Sequence, residues 1–103
     1  MTAATLSPRA QRELDGALRW IARDNPLAAQ ALLEAVLEAA DRIGRHPKIG
    51  VVRTDLTVTD RYRFVVLSGF PYLIIYAADR DPPLIVRIVH GARDLPRLPR
   101  DLR

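Results

Sequence analysis

The side chains with the clearest capacity for acid–base chemistry lie near the end of the chain, in the stretch VRIVHGARDL. There His90 is followed closely by Arg93 and Asp94. An imidazole exchanges protons near neutral pH, and a guanidinium binds carboxylates and phosphates through paired hydrogen bonds. The stretch is therefore a candidate catalytic centre, a candidate corner for partner binding, or the end of a strand followed by a turn.

The rest of the sequence limits the chemistry that this stretch can serve. The other histidine, His46, precedes Pro47 at a predicted helix end, where a simple cap is the expected role. Cysteine is absent, so disulfides and thiolate chemistry are excluded. We find no metal-ligand spacing, no glycine-rich phosphate loop and no nucleophile–base pair. The sequence thus predicts neither a metal nor a cofactor.

Arginine dominates the charge of the chain. The 16 lysine and arginine residues outnumber the 12 acidic residues, and every cation except Lys48 is arginine. Most of the excess falls in residues 51–103, which contain no glutamate. Guanidinium groups suit anionic partners because their planar fork of donors matches carboxylates, phosphates and base edges. The excess of arginine therefore suits an anionic partner. An arginine bias of the whole genome would give the same composition, so composition alone leaves both explanations open.

Length and composition predict an ordinary globular protein. A chain of 103 residues corresponds to a single domain, residues 1–103. The hydrophobic fraction of 49% and the charged fraction of 27% disfavour global disorder. Neither a signal peptide nor an apolar run long enough to span a bilayer is found. We therefore expect a cytoplasmic protein with no membrane association.

The first half of the chain predicts a helical hairpin over about residues 7–46. Ser7 is a suitable N-cap for the first helix, and Asn25 is one for the second. Each is followed by proline, which is favoured at the first position of a helix. Apolar residues recur at spacings of three and four in both helices, so each has a buried face.

The second half changes to a period of two, which is typical of β-strands. Turn-forming residues separate the runs, which indicates an antiparallel meander over about residues 51–90. The tail, residues 91–103, contains two prolines and is expected to cross the surface. This order predicts an α+β fold in which the helical hairpin covers one face of a small antiparallel sheet. The predicted strands are residues 51–56, 61–67, 72–78 and 84–90, with a fifth from residues 2–6.

A single helical layer leaves the other sheet face free, and arginines and tyrosines on such a face favour a docked partner. Simple alternation also puts Arg87 and His90 on opposite faces of the last strand, which argues against a shared catalytic site. The predicted partner-binding residues are Trp20, Arg61, Arg63, Tyr72, Tyr76, Arg87 and Arg93.

Three segments in this order resemble the RelE/ParE superfamily of bacterial type II toxins. They are HPKIG at residues 46–50, PYLIIY at residues 71–76 and HGARD at residues 90–94. The resemblance extends over nearly the whole chain. It implies a toxin that is held inactive in a hetero-oligomer by a cognate antitoxin, whose acidic segment wraps around it. It also implies one of two targets: members similar to RelE cut mRNA on the ribosome, and members similar to ParE poison DNA gyrase.

The residues available for proton transfer favour the ParE-like alternative. RNA cleavage through the 2′-hydroxyl needs a base, an acid and cations around the phosphorane. Many RelE-like nucleases place a tyrosine, or a histidine with a tyrosine, close to the C-terminus, whereas here Gly91 follows His90 and no tyrosine occurs after Tyr76. We therefore predict a gyrase inhibitor without enzymatic activity, and rank an mRNA endoribonuclease second and a basic nucleic-acid-binding domain third. If the protein is a nuclease, its catalytic residues are expected to be Arg63, Arg87, His90 and Arg93.

Overall fold

The computed structural model of the chain describes residues 2–56 and 60–98. No helix within these ranges is long and apolar enough to cross a membrane. The predicted α+β fold is confirmed, with two N-terminal helices followed by a small sheet. The elements are β1 (Thr5–Leu6), α1 (Pro8–Ala22), α2 (Pro26–Arg45), β2 (Tyr62–Val66), β3 (Tyr72–Ala77), β4 (Leu84–His90), α3 (Gly91–Asp94) and a 3₁₀ turn (Leu95–Arg97).

Both long helices begin where the sequence predicts. The Ser7 hydroxyl accepts a hydrogen bond from the Ala10 N–H at 3.0 Å. The Asn25 side chain accepts one from the Ala28 N–H at 3.1 Å. These bonds satisfy N–H groups that have no partner inside the helix, so they fix the first turn of each helix.

The sheet has the strand order β1–β4–β3–β2. β3 lies inside the sheet and pairs antiparallel with both neighbours, β2 and β4. The two-residue β1 pairs parallel with β4. The sheet is therefore mixed, and the expectation of a wholly antiparallel sheet is wrong at this edge, where β1 and β4 run in the same direction.

The predicted strand at residues 51–56 is also wrong. Only Val51 pairs with the sheet, through an isolated antiparallel bridge to Phe64. After it the chain turns, because the Leu56 N–H donates to the Arg53 carbonyl at 3.1 Å and Arg53 pairs with Asp55 at 2.8 Å. The residues that follow, 57–59, lie outside the described part of the chain.

The second sheet face is covered by the chain itself, so the prediction of a free face is wrong. One apolar cluster lies between the helices and the sheet, and another contains Tyr62, Phe64 and Ile75. Leu95 and Leu98, from the segment predicted to run over the surface, pack against this second cluster. Residues 99–103 of the predicted tail lie outside the described ranges.

A β-bulge in β4 changes the sheet faces that simple alternation predicts for the side chains on either side of it. Ile75 pairs with Arg87 and Tyr76 pairs with Ile85, so Val86 has no residue opposite it. A bulge of this kind shifts the pattern of side chains and backbone groups by one residue. Beyond the end of β1, the outer edge of β4 therefore presents backbone groups to α1 and α3.

Candidate partner-binding site

A pocket of about 590 Å³ lies where α1, the free edge of β4 and α3 meet. We call it the β4-edge pocket. Its volume lies within the range of pockets that hold small ligands or anchoring side chains. Its lining combines cations with aromatic rings, which is the composition of binding hot spots. The cations and aromatic residues that line it are Arg9, Arg87, Arg93, Arg97, Trp20 and Tyr72.

The pocket brings together four of the seven residues that the sequence predicts for partner binding. Trp20 lies on α1 with 65% of its surface exposed, and Tyr72 lies on β3 with little exposure. Arg87 and Arg93 come from β4 and α3. The structure leaves the other three predicted residues outside the pocket lining.

Arg87 is buried in an ion pair with Glu13 of α1. Its guanidinium donates to the two Glu13 carboxylate oxygens at 2.8–3.2 Å, and only 8% of the residue is exposed. Glu13 also accepts from the Ile88 N–H at 3.0 Å. The pair therefore ties α1 to the edge of β4. Among the described residues, the buried Nη1 atom of Arg87 has no hydrogen-bond partner.

The HGARD stretch forms a reciprocal cap on α3. The His90 Nδ1 accepts from the Arg93 N–H at 3.1 Å, and the Asp94 carboxylate accepts from the His90 N–H at 2.9 Å. The arrangement resembles a capping box, in which two side chains each satisfy a backbone N–H. The His90 ring also meets the Tyr72 ring edge-on, with 5.5 Å between centroids.

Arg93 extends from this cap into solvent. Its guanidinium donates to Asp94 at 3.0 and 3.2 Å, while 58% of its side chain stays exposed. The hydrogen bonds from Arg93 lower the pKa of the Asp94 carboxyl, and the pKa of Arg93 is raised in turn. Arg93 thus combines a fixed position with access for a partner.

Sequence reasoning missed Arg9, Glu13 and Arg97 as members of the pocket. Arg9 and Glu13 share one helical stripe with Gly16 and Trp20, at spacings of four, three and four, and that pattern is a signal that was available in the sequence. Arg97 follows α3, a short helix that the sequence analysis did not predict because it treated residues 91–103 as a tail. Within the described residues, the side chains of Arg9 and Arg97 form no hydrogen bond or ion pair.

Arg63 and Tyr76 belong to a separate structural group beside the segment after α2. The fully buried Tyr76 hydroxyl donates to the Pro47 carbonyl at 2.6 Å and accepts from the Gly50 N–H at 2.9 Å. Burial raises the pKa of that hydroxyl. Arg63 donates to the Gly50 carbonyl at 2.8 Å and to the Lys48 carbonyl at 3.3 Å. The interpretation of Tyr76 as a surface contact is wrong because its ring fills the core.

Arg61 lies at the opposite end of the sheet from the β4-edge pocket, just before β2. It pairs with Asp79 at 3.2 Å, and each side chain is about half exposed. Its guanidinium also lies over the Tyr62 ring, 5.4 Å from the centroid. A partner contact through Arg61 stays a prediction.

The structure does not assemble the predicted nuclease set. Arg63 lies on β2, two strands away from Arg87, and Arg87 is engaged by Glu13. Arg87 and His90 lie on opposite faces of β4, as alternation predicts, because the bulge at Val86 precedes both and the pairing with β3 is regular from Arg87 to His90. Both lie by the pocket, Arg87 in its lining and His90 against a lining ring. Within the described ranges, no three acidic or histidine side chains converge as metal ligands.

The family match, the relative and the fold together define the class of protein: a small toxin of the RelE/ParE superfamily. A family model described as "ParE toxin of type II toxin-antitoxin system, parDE" matches residues 4–95. The chain belongs to this ParE toxin family.

Two known proteins illustrate the relationship. The chain is similar to "Toxin RelE3" of Caulobacter vibrioides, with 28% identity over 91 residues, which are 88% of this chain and 96% of the relative. It is also similar to a solved structure titled "Chromosomal ParDE TA system from P. aeruginosa", with a TM-score of 0.70 and 16% identity. That match covers 87% of this chain and 96% of the other, and it supports the fold.

Proposed function

We propose that this toxin acts in the cytoplasm by binding and poisoning DNA gyrase, and that a cognate antitoxin neutralises it in a hetero-oligomer. The observation that carries the proposal is the match of residues 4–95 to the ParE family. The match covers the hairpin, the sheet and the α3 cap, which together form the β4-edge pocket.

The bonding of the polar side chains supports action by binding. The Nδ1 atom of His90 is engaged in the α3 cap, and the Glu13 carboxylate is engaged by Arg87 and the Ile88 N–H. A nuclease needs a base and an acid that are free to exchange protons with the substrate. The described residues of the pocket offer cations and aromatic surface, which suit recognition of another macromolecule.

One observation favours the second candidate, a ribosome-dependent mRNA endoribonuclease. The His90 and Tyr72 rings are in contact, and Tyr72 lines the same pocket as Arg93. His90 and Tyr72 are two side chains able to carry a proton, and the cation Arg93 lies near them. The name of the RelE3 relative points in the same direction. A plain basic nucleic-acid-binding domain ranks third because nothing specific in the pocket supports it.

Two assays run in parallel separate the first two functions. The purified toxin is added to a gyrase supercoiling reaction and to ribosomes carrying mRNA, and each is repeated with His90→Asn. Asparagine can still cap α3 but carries no titratable proton. We expect both proteins to inhibit gyrase equally and to leave mRNA intact. Cleavage of mRNA that falls by about 100-fold or more with His90→Asn would instead establish the nuclease.

A further inference from the structure

An apolar groove of about 330 Å³ runs along the outside of the helical hairpin, between α1 and α2. The residues that line it are Leu18, Arg19 and Ala22 of α1 and Ala29, Gln30 and Leu33 of α2. Leu37, one turn beyond Leu33, extends the apolar surface and remains 57% exposed. A continuous apolar surface of this kind, bordered by polar residues, is typical of a contact between macromolecules.

The α1 side of the groove carries a row of cations. Arg12, Arg19 and Arg23 recur at spacings of seven and four, so they share one stripe of the helix, and all three are exposed. The side chains of Arg12 and Arg19 form no hydrogen bond or ion pair with any described residue. The two carboxylates of α1, Glu13 and Asp15, are bonded to other side chains within the fold. This row is therefore a positive strip.

The α2 side of the groove carries the opposite charge. Glu34, Glu38 and Asp41 recur at spacings of four and three and are exposed. Asp41 pairs with Arg45 at 2.7 Å. The carboxylates of Glu34 and Glu38 have no hydrogen-bond or ion-pair partner in the part of the chain that the structure describes. Arg42 lies on another side of the helix, in the lining of a separate cavity. We call the two charged rows with the groove between them the hairpin face.

The hairpin face is complementary to itself under a two-fold rotation. An axis parallel to the helices places α1 of each copy over α2 of the other and keeps every residue at its own level along the helices. Arg19 and Leu33 line the same groove from opposite sides, so Arg19 of one copy lies at the level of Glu34 of the other. Two turns away, Arg12 comes to the level of Glu38. An axis across the helices would instead place the arginine rows against each other.

We propose that the toxin self-associates through the hairpin face into a two-fold symmetric dimer, in which four helices pack with antiparallel neighbours. A second copy suits the face better than a partner of a single charge sign, because a positive and a negative row border the same groove. Neither row contributes to the lining of the β4-edge pocket. The inference therefore goes beyond the proposed function and does not depend on it.

The size of the face sets the expected affinity. Two adjacent helices present a surface about 20 Å wide and about 25 Å long, which gives about 500 Å² from each copy. Standard protein interfaces bury about 800 Å² from each partner, so we expect a weak dimer with a Kd of about 10–100 µM. Sedimentation equilibrium of the full-length toxin, freed from antitoxin, measures this Kd over a series of concentrations. The apparent mass should rise from the 11.6 kDa of one chain towards twice that value.

Charge-reversal variants test the geometry. Arg19→Glu and Glu34→Arg should each weaken the dimer by at least about tenfold, because each change places like charges together twice across a two-fold interface. An equal mixture of the two variants should associate about as tightly as wild type, because both contacts then join opposite charges. Arg80→Glu makes the same charge change in the exposed turn between β3 and β4 and should stay within about twofold of wild type.

The apolar part of the face is tested separately. Leu37→Gln should weaken the dimer by at least about tenfold, because a leucine buried in the interface is replaced in both copies. Val66→Gln is the matched control, since Val66 is 71% exposed on β2 and lies outside the hairpin face. It should leave the Kd within about twofold of wild type.

Three results would overturn the inference. The first is a mass of one chain at toxin concentrations up to about 500 µM, well above the expected Kd. The second is a mixture of the two charge variants that associates no better than either variant alone. The third is a toxin that stays monomeric while Leu37→Gln weakens its binding to the antitoxin, which would assign the hairpin face to the antitoxin. None of these outcomes depends on whether gyrase is the target.

Discussion

At the scale of single residues, the surroundings of an arginine decide what it does. Arginine is a residue type expected on a binding surface, yet the guanidinium of Arg87 forms an ion pair with Glu13 and is almost fully buried. Arg93 is mostly exposed, and its ion pair holds it at the rim of the pocket. The first therefore positions α1 against β4, and the second is available to a partner.

Arg87→Ala is expected to lower the free energy of unfolding. It leaves the Glu13 carboxylate partly buried without its cation, and breaking a buried pair costs about 3–5 kcal/mol. Because 22% of the Glu13 side chain is exposed, we expect about 2–3 kcal/mol, measured by urea denaturation. The double variant Glu13→Leu/Arg87→Met should lose clearly less than the two single variants combined. Additive losses would show that the two side chains are not coupled.

Tyr76→Phe tests the buried hydroxyl as a support for the segment after α2. Removing it leaves the Gly50 N–H and the Pro47 carbonyl without this partner, which costs about 1–3 kcal/mol of unfolding free energy. Tyr62→Phe, a tyrosine of the other apolar cluster, is the comparison variant. If thermal denaturation shows equal small losses for both, the Tyr76 hydroxyl does not hold this segment.

At the scale of elements, the α3 cap should respond to acid. Its Asp94 has a lowered pKa in the folded protein, mainly through hydrogen bonds from Arg93. The resulting stabilisation is present above the unfolded-state pKa of about 4 and is lost as the pH falls through the lower folded-state pKa. Urea unfolding of wild type and Asp94→Asn should therefore differ most near pH 6 and converge towards pH 2. A difference that does not change with pH would contradict this account of the cap.

Helix α1 offers a test of whether the fold requires a glycine at position 16. Gly16→Ala should raise the unfolding free energy by about 0.5–1 kcal/mol, because alanine is the better helix former and its Cβ meets no atom within 4 Å. Differential scanning calorimetry on the free toxin measures the shift. A lower melting temperature would mean that the glycine is needed by the fold itself.

The same elements show which features were predictable from sequence. The caps by Ser7 and Asn25 bond to residues three positions away, so a local pattern was sufficient to predict both helix starts. The bulge at Val86 depends on pairing with β3, and the Arg87–Glu13 pair joins residues 74 positions apart. Long-range contacts of this kind leave no local signal. The pocket was therefore predicted through four of its residues but not as a pocket.

At the scale of the whole molecule, the chain is a small ParE-family toxin whose two sheet faces are covered by its own helices and C-terminal turn. The described surface that combines cations, an exposed indole and open space lies at the edge of β4. We infer that this arrangement works by recognition, with the antitoxin as the neutralising partner and gyrase as the target.

The most direct test of this account is the amount of DNA held cleaved by gyrase in the presence of the toxin. Supercoiled plasmid, gyrase and increasing toxin are incubated, the reaction is stopped with detergent and protease, and linear DNA is quantified. Poisoning predicts that linear DNA rises with toxin concentration, equally for wild type and His90→Asn. No linear DNA at toxin concentrations that cut ribosome-bound mRNA would contradict the account.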